Sequence, residues 1–198
     1  MGYSAEHKAK TKERVVESAA RLFRRYGYNG VGIDDIMAAA NLTRGGFYAH
    51  FRSKEDLFAA TLAADLVLAR QLRASGEPDG GSAPPAVRTL IDFYLDGGNR
   101  KRIPNLCPLV SLSADVGRSG EAARAAYTAA LRSMIDELTR CIDAAPADAR
   151  ARALTTLALC VGAVGLAQAV NDDQLAEALL DACRTRALAE VDGRLTPE

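Results

Sequence analysis

The chain has no tryptophan, only two histidines and no net charge. Because its 25 Lys and Arg residues balance 25 Asp and Glu residues, net charge by itself indicates neither a nucleic acid nor a membrane as partner. Histidine is a common general base and metal ligand, but His7 and His50 lie far apart in the sequence. No Ser/His/Asp constellation is present, so we do not expect an enzyme.

The four cysteines indicate neither a metal site nor a disulfide framework. Cys107, Cys141, Cys160 and Cys183 are widely spaced and include no C-x-x-C pair. This spacing excludes a typical zinc site and the disulfide framework of a small secreted domain. The N-terminal segment MGYSAEHKAKTK contains no apolar leader. We therefore expect a cytoplasmic protein without a metal or cofactor.

One long apolar run is present, and it raises the question of a membrane. Residues 153–170, ALTTLALCVGAVGLAQAV, carry no charge, and a run of about 18 residues is at the lower limit for a transmembrane helix. Two threonines, a glutamine and the lack of flanking aromatic residues disfavour a span. A helix buried at a subunit interface fits better, so we expect no membrane partner.

This helix and the one that follows it are predicted to form a homodimer interface. An uncharged helix on a soluble monomer would leave a large exposed apolar patch, and such patches usually mark interfaces. Small residues in the run would let two backbones approach closely. The predicted interface residues are Leu154, Leu157, Ala158, Val161, Gly162, Val164, Gly165 and Leu175.

Apolar residues recur at helical spacing almost throughout the chain, which predicts an all-α protein of about nine helices. The first helix should cover about residues 8–26 and end at Gly27 as a C-cap. Thr43 and Ser53 are predicted N-caps of the third and fourth helices. The predicted later helices cover about residues 86–97, 108–116, 120–144, 147–170 and 173–190.

Residues 33–50 have the pattern of a helix-turn-helix motif. Two short helices are separated at Asn41, a residue that tolerates a left-handed turn, and the second opens with Thr43-Arg44-Gly45-Gly46. In such motifs the second helix enters the DNA major groove, and glycines would let its backbone approach the DNA closely. Residues 1–58 also carry a net charge of about +3. A plain helical hairpin with a polar, solvated turn is the alternative.

A wider set of residues resembles a known family. The segments are Gly27-Tyr28, Ile33-Asp34-Asp35-Ile36, Ala39-Ala40-Asn41-Leu42-Thr43-Arg44-Gly45, Tyr48, His50-Phe51 and Ser53-Lys54-Glu55-Asp56-Leu57. Together they resemble the DNA-binding domain of the TetR family of transcriptional repressors. The resemblance implies a homodimer that binds double-stranded operator DNA and is released when a small-molecule effector binds its all-helical body. It also implies a helix-turn-helix domain at residues 1–52 and a helical-bundle domain for ligand binding and dimerisation at residues 53–198, connected by a helix over 53–74.

The resemblance assigns DNA-binding roles to residues around the second helix of the motif. It implies base or phosphate contacts near the start of this helix and phosphate contacts after it, and it leaves Phe47 and Phe51 in the core. Gly32 stands where the family usually has Ser or Thr, so a phosphate contact there is either missing or made by a backbone N–H. Gly46 often has a side chain in the family, so base readout should rest on Arg44 and DNA shape. The predicted DNA-binding residues are Thr43, Arg44, Gly45, Gly46, Tyr48, His50 and Lys54.

The body of the chain contains candidates for an effector pocket, which only the resemblance implies. Each candidate is apolar or aromatic at helical spacing, so each is equally explained as ordinary core. The candidates are Phe93, Tyr94, Leu106, Cys107, Leu109, Val110, Tyr127, Leu131 and Met134.

Cys107 has a more specific interpretation. It precedes Pro108, which suits the first position of a helix, so the thiol would lie at a helix N-cap downstream of Arg100, Lys101 and Arg102. Such surroundings lower a thiol pKa, and residues 106–110 resemble the electrophile-responsive branch of the family. A redox or electrophile sensor that acts through Cys107 is therefore one alternative to a non-covalent effector. A DNA-binding regulator without a small-molecule input is a second alternative, and a helical binding or enzyme module whose N-terminal domain has lost DNA binding is a third.

Overall fold

The computed structural model describes residues 5–64, 84–102, 105 and 107–193, and every regular element among them is helical. This confirms the predicted all-α class. A 3-10 turn at Gly97–Asn99 lies between the fifth and sixth helices. The helices are α1 Ala5–Tyr26, α2 Ile33–Ala39, α3 Arg44–Ala49, α4 Lys54–Ala64, α5 Pro85–Tyr94, α6 Pro108–Ser111, α7 Ser113–Gly117, α8 Glu121–Arg140, α9 Pro146–Ala169 and α10 Asp173–Val191.

Local capping chemistry sets several of these boundaries. α1 ends where Gly27 adopts a left-handed φ of 73° and donates its N–H to the carbonyl of Phe23 at 2.8 Å. Ser53 caps α4 by accepting the N–H of Asp56 at 3.0 Å. Both caps confirm the sequence prediction. The predicted helix over 108–116 is wrong in one respect, because it is interrupted at Leu112, which ends α6 and precedes α7.

By compactness the chain divides into two units, Met1–Asp65 with Cys107–Ala130, and Leu66–Leu106 with Leu131–Glu198. The first unit has a core of aromatic and aliphatic side chains. Leu112, Val116 and Ala123 belong to the same buried cluster as Phe23 and Phe58. The predicted boundary between a helix-turn-helix domain at residues 1–52 and a ligand-binding and dimerisation domain at residues 53–198 stays a prediction. The part of the predicted connecting helix beyond residue 64 lies outside the described residues.

Asp115 of α7 fastens the turn that follows α1. Its Oδ2 accepts the backbone N–H of Tyr28 at 3.1 Å, and its Oδ1 lies 3.1 Å from the guanidinium of Arg118. The ring of Tyr28 lies 5.8 Å from that of Phe23 and 4.9 Å from that of Phe58. The turn that leads into α2 is therefore held both by a hydrogen bond and by aromatic packing.

In the second unit, α9 and α10 pack along each other, and α5 packs against both. Arg88 of α5 forms an ion pair with Asp192, whose side chain is almost completely buried just after α10. Within the described residues, α9 is the one helix long and apolar enough to cross a membrane by length and composition, and a third of its most apolar window is buried inside the protein.

Candidate nucleic-acid interface

The turn between α2 and α3 is a tight, fully hydrogen-bonded helix ending. Asn41 adopts a left-handed φ of 55°, as predicted. The N–H groups of Asn41 and Leu42 donate to the carbonyls of Ala38 and Met37 at 3.0 and 2.9 Å. This pair of bonds is the Schellman motif, with asparagine in the place usually taken by glycine. The motif fixes the direction in which the chain leaves α2 and enters α3.

α3 is a 3-10 helix of six residues. Phe47 anchors it: this side chain is completely buried, and Phe51 just beyond is 3% exposed, so both are core residues as predicted. The predicted cap at Thr43 is wrong in its chemistry, because the Thr43 side chain makes no capping hydrogen bond to the helix. Thr43 is exposed, and its hydroxyl is not used to begin the helix.

Most predicted DNA-binding residues around α3 lie on its solvent side, but Gly46 is partly buried, and a Cβ placed on it would lie 3.6 Å from Cε of the buried Met37. Thr43, Arg44 and Gly45 are exposed, and Tyr48 is 63% exposed. A Cβ atom placed on Gly45 would meet no atom within 4 Å, and the φ of Gly45 is not in the left-handed region. Neither packing nor backbone conformation therefore requires glycine at this position. The absence of a side chain leaves the backbone open to an approaching molecule.

Arg44 is already paired within the motif. Its Nη1 lies 2.7 Å from Oδ2 of Asp34 on α2, and both side chains are more than half exposed. An exposed pair of this kind contributes at most about 1 kcal/mol to folding, so it is easily exchanged. It does hold the guanidinium at the start of α3, on the side that the motif presents to solvent.

The backbone N–H of Gly32, which the sequence left as a possible phosphate donor, is occupied. It donates to Oδ2 of Asp35 at 2.8 Å, which completes the N-terminal cap of α2 from the helix side. A carboxylate at this point also disfavours a phosphate. The structure therefore contradicts a phosphate contact through this N–H while the cap is in place.

Lys54, at the start of α4, lies over an aromatic ring. Its Nζ is 4.2 Å from the centroid of Tyr28, which is a cation–π contact. Partial burial lowers the pKa of Lys54, although the carboxylates of Asp115 and Asp35 act in the opposite direction. Burial and then the charge of Glu55 raise the pKa of Tyr28. A phosphate contact by Lys54 stays a prediction.

His50 ends α3, and the structure places two lysines beside it that sequence reasoning missed. Its Nδ1 is buried and has no hydrogen-bond partner among the described residues. Burial, and then the positive charges of Lys8 and Lys12 on α1, lower the pKa of His50 from its ordinary value near 6.5. The sequence offered one signal, the Lys-x-Lys-x-Lys run that contributes to the basic N-terminus.

The effector-pocket candidates are distributed over both units, and Leu106 lies outside the described residues. Cys107, Leu109, Tyr94 and Met134 are buried, whereas Phe93, Val110, Tyr127 and Leu131 are partly buried. The hydroxyl of Tyr127 donates to the carbonyl of Leu109 at 3.0 Å, and burial raises its pKa to about 12, with a smaller effect of Cys107. Pocket lining by these residues stays a prediction.

Among the described residues, two open clefts are lined by residues other than the effector-pocket candidates. One, of about 190 Å³, is lined by Tyr28, Asn29, Glu55, Asp115, Arg118, Ser119 and Gly120. The second, of about 310 Å³, is lined by Gly97, Gly98, Arg100, Lys101, Asp173 and Glu177. Both linings are mostly polar, unlike the apolar pockets that usually take organic ligands. Among the described residues, no group of three His, Cys, Asp or Glu side chains could hold a metal ion.

Cys107 is the N-cap residue before Pro108, as predicted, but its side chain makes no capping hydrogen bond and is only 4% exposed. Reaction with an external electrophile therefore requires local opening. Its role as a sensor stays a prediction.

The predicted dimer residues of α9 lie largely on one exposed face. Leu154 is 47% exposed, and a Cβ placed on Gly162 or Gly165 would meet nothing within 4 Å. Leu175, at the start of α10, is also 47% exposed. The interface prediction is wrong for Val164. Its side chain is completely buried in its own chain, because it points to the opposite side of the helix.

Comparison with known proteins identifies the motif. Residues 15–61 match the family model described as bacterial regulatory proteins, tetR family. The transcriptional repressor DhaR of Mycobacterium sp. (strain GP1) is 34% identical over 83 residues, which are 42% of this chain and 41% of DhaR. The chain thus spans about half or less of the length of curated relatives that it matches.

Solved structures extend the similarity to most of the chain. SCO4454, a TetR-family transcriptional regulator from Streptomyces coelicolor, is 27% identical with a TM-score of 0.65, covering 93% of this chain and 97% of that one. The reduced form of NemR from E. coli shares the fold, with 22% identity, a TM-score of 0.70 and coverage of 89% and 96%. Residues 15–61 therefore match the tetR family of bacterial regulatory proteins, and most of the chain shares the fold of SCO4454, a TetR-family transcriptional regulator.

Proposed function

We propose that this protein is a transcriptional repressor that binds operator DNA as a homodimer and is released by a small-molecule effector. The observation that carries the proposal is the exposed start of α3. Arg44 and Thr43 stand there beside Gly45, a glycine that the fold itself does not require. An open backbone next to a guanidinium suits a helix that enters a DNA groove.

The residues of this surface have separate roles in the proposal. Arg44 exchanges Asp34 for a base edge, and guanine is its best partner because two acceptors match the guanidinium. Thr43 and Tyr48 donate hydroxyl hydrogen bonds to phosphate oxygens, and Gly45 allows the backbone to come close. Lys54 and His50 contact the phosphate backbone at the edge of the site. Phosphate contacts position the protein without reading sequence.

A homodimer would present two such surfaces to one operator. Two recognition helices fit successive major grooves when they lie about one DNA turn apart. The exposed faces of α9 and α10, with Leu154, Gly162, Gly165 and Leu175, supply the proposed contact between subunits. An effector that changes the spacing of the two recognition helices would lower affinity for the operator without touching the DNA surface.

Three further points belong to the proposal. Repression rather than activation is supported by DhaR, which is named as a repressor. We also infer a cytoplasmic protein that is not an enzyme, since a bacterial regulator reaches DNA in the cytoplasm and the proposed function needs only binding. A DNA-binding regulator without an effector is the second form of the proposal, and it differs only in having no ligand that releases the DNA.

The test begins with selection of binding sequences from a random duplex library, followed by titration of the selected duplex. We expect a two-fold symmetric sequence bound by two chains, with affinity that falls steeply as salt rises. A protein that selects no sequence would contradict the proposed function. Addition of a metabolite library to the complex then distinguishes the two forms, since only the first predicts a compound that releases the DNA.

A further inference from the structure

The surface around His50 has more positive charge than α3 alone provides. Lys8 and Lys12 are four residues apart on α1, so they project from the same side of that helix. Both are exposed, and both are close enough to His50 to act on its ring electrostatically. The Nζ of Lys12 also lies 5.3 Å from the centroid of the Phe51 ring, which places it beside the end of α3.

The positive charges of Lys8 and Lys12 are not neutralised by carboxylates of the described residues. Within that part of the chain neither Lys8 nor Lys12 forms an ion pair, whereas Lys10 between them is paired with Glu6 at 2.8 Å. Asp56, at the start of α4, has a carboxylate that accepts the backbone N–H of Arg52 at 3.2 Å and lies 3.7 Å from the Arg52 side chain. Two ammonium groups and an imidazole therefore lie together with an excess of positive charge.

His50 is also incompletely satisfied in the free protein. Its Nδ1 is buried without a hydrogen-bond partner among the described residues, and a buried, unpaired polar atom is unfavourable. An anion between the two lysines and the imidazole would offset the charge repulsion and favour the protonated ring.

We propose that Lys8, Lys12 and His50 form one binding site for a DNA backbone phosphate, at the side of the helix-turn-helix where α1 meets the end of α3. The inference rests on the proposed DNA-binding function and deepens it, because it adds α1 to the contact surface. It predicts that Lys8 and Lys12 increase the affinity for DNA without affecting the sequence preference, since a phosphate carries no sequence information.

Binding at this site takes up a proton. In the free protein the pKa of His50 is lowered, so the ring is largely neutral at pH 7. The negative charge of a bound phosphodiester beside the ring raises that pKa, so protonation accompanies binding between the free and bound values. DNA affinity therefore rises as pH falls through this interval. The free fold behaves oppositely: the unfolded chain takes up this proton more readily, so folding stability falls as pH falls.

The first test uses a labelled 30-base-pair duplex of random sequence and fluorescence anisotropy over a series of KCl concentrations. The double variant Lys8→Gln, Lys12→Gln should flatten the plot of log affinity against log salt by about 0.9 for each phosphate that is no longer neutralised, and so by nearly two for a dimer. Lys10→Gln is the matched control: it removes one lysine from the same helix, already paired with Glu6, and should leave the slope almost unchanged.

The second test measures affinity from pH 8 to pH 6 at fixed salt. Wild-type affinity should rise as pH falls, and His50→Gln should remove most of that rise. His7→Gln, which removes the second histidine of the chain, should retain it. Thermal unfolding of the free protein over the same range should show that folding stability decreases as the pH is lowered. Because DNA affinity changes in the opposite direction, the affinity gain is not a folding effect.

The outcomes distinguish this site from the function on which it rests. If the wild-type protein shows no salt-dependent binding to any duplex, the proposed function is wrong. If wild-type protein binds but the Lys8, Lys12 variant matches Lys10→Gln and the pH profile of His50→Gln matches wild type, the phosphate site is refuted and DNA binding stands.

Discussion

Gly45→Ala should stabilise the fold and weaken DNA binding at the same time. The added methyl group meets no atom within 4 Å, and the backbone conformation does not need glycine. Restricting the unfolded chain should then add about 0.4–1 kcal/mol to the free energy of unfolding. In the complex, the methyl group would hold α3 away from the groove and lengthen the Arg44 contact. We expect binding to weaken by about 1–3 kcal/mol per subunit.

The experiment pairs chemical denaturation with anisotropy titration of a selected duplex. Gly117→Ala is the control, because Gly117 belongs to the same unit, lies in a helix and also has no atom within 4 Å of an added Cβ. It should gain stability without losing DNA affinity. Unchanged DNA affinity in Gly45→Ala would show that the DNA backbone does not come near this residue, and a loss of stability would show that the fold requires glycine there.

Three more changes test the remaining assignments. Arg44→Ala should weaken binding to the selected duplex by roughly 1–3 kcal/mol and relax the sequence preference of the protein. Lys54→Ala should weaken binding to selected and random duplexes equally. If both variants weaken binding to the two duplexes equally, Arg44 contacts only the DNA backbone. Leu154→Arg places a charge on the exposed face of α9 and should convert dimers to monomers in sedimentation velocity without changing helix content, and a stable dimer of this variant would exclude that face. For alkylation followed by mass spectrometry, we expect the half-buried Cys183 to react before the buried Cys107; faster reaction at Cys107 would favour the electrophile-sensor alternative.

The local features of the motif could be predicted because they depend on neighbouring residues. Gly27 and Asn41 adopt left-handed conformations, which glycine and asparagine tolerate better than most residues. Phe47 in α3 and Phe51 just after it are large apolar side chains, and both are buried as their character predicts. In each case the conformation or burial depends on the residue itself and its neighbours in the sequence.

A second set of features depends on residues that meet only after folding. The pairing of Arg44 with Asp34, the position of Lys54 over Tyr28 and the approach of Lys8 to His50 each join residues from separate elements. Helical periodicity predicts which side of a helix is buried but not which polar groups meet across the surface. The 3-10 form of α3 has a local cause instead, since two adjacent glycines weaken the preference for an α-helix.

The packing of α7 and the start of α8 against the aromatic core has a practical consequence for exchanging parts between related regulators. A graft that transferred only residues 1–65 would leave behind Leu112, Val116 and Ala123. It would also remove the carboxylate of Asp115 that fastens the turn at Tyr28. Phe23 and Phe58 would then face either water or the side chains of a foreign partner. The transferable part in this protein is therefore discontinuous in sequence, and a working chimera has to take Cys107–Ala130 from the same parent as the recognition helix.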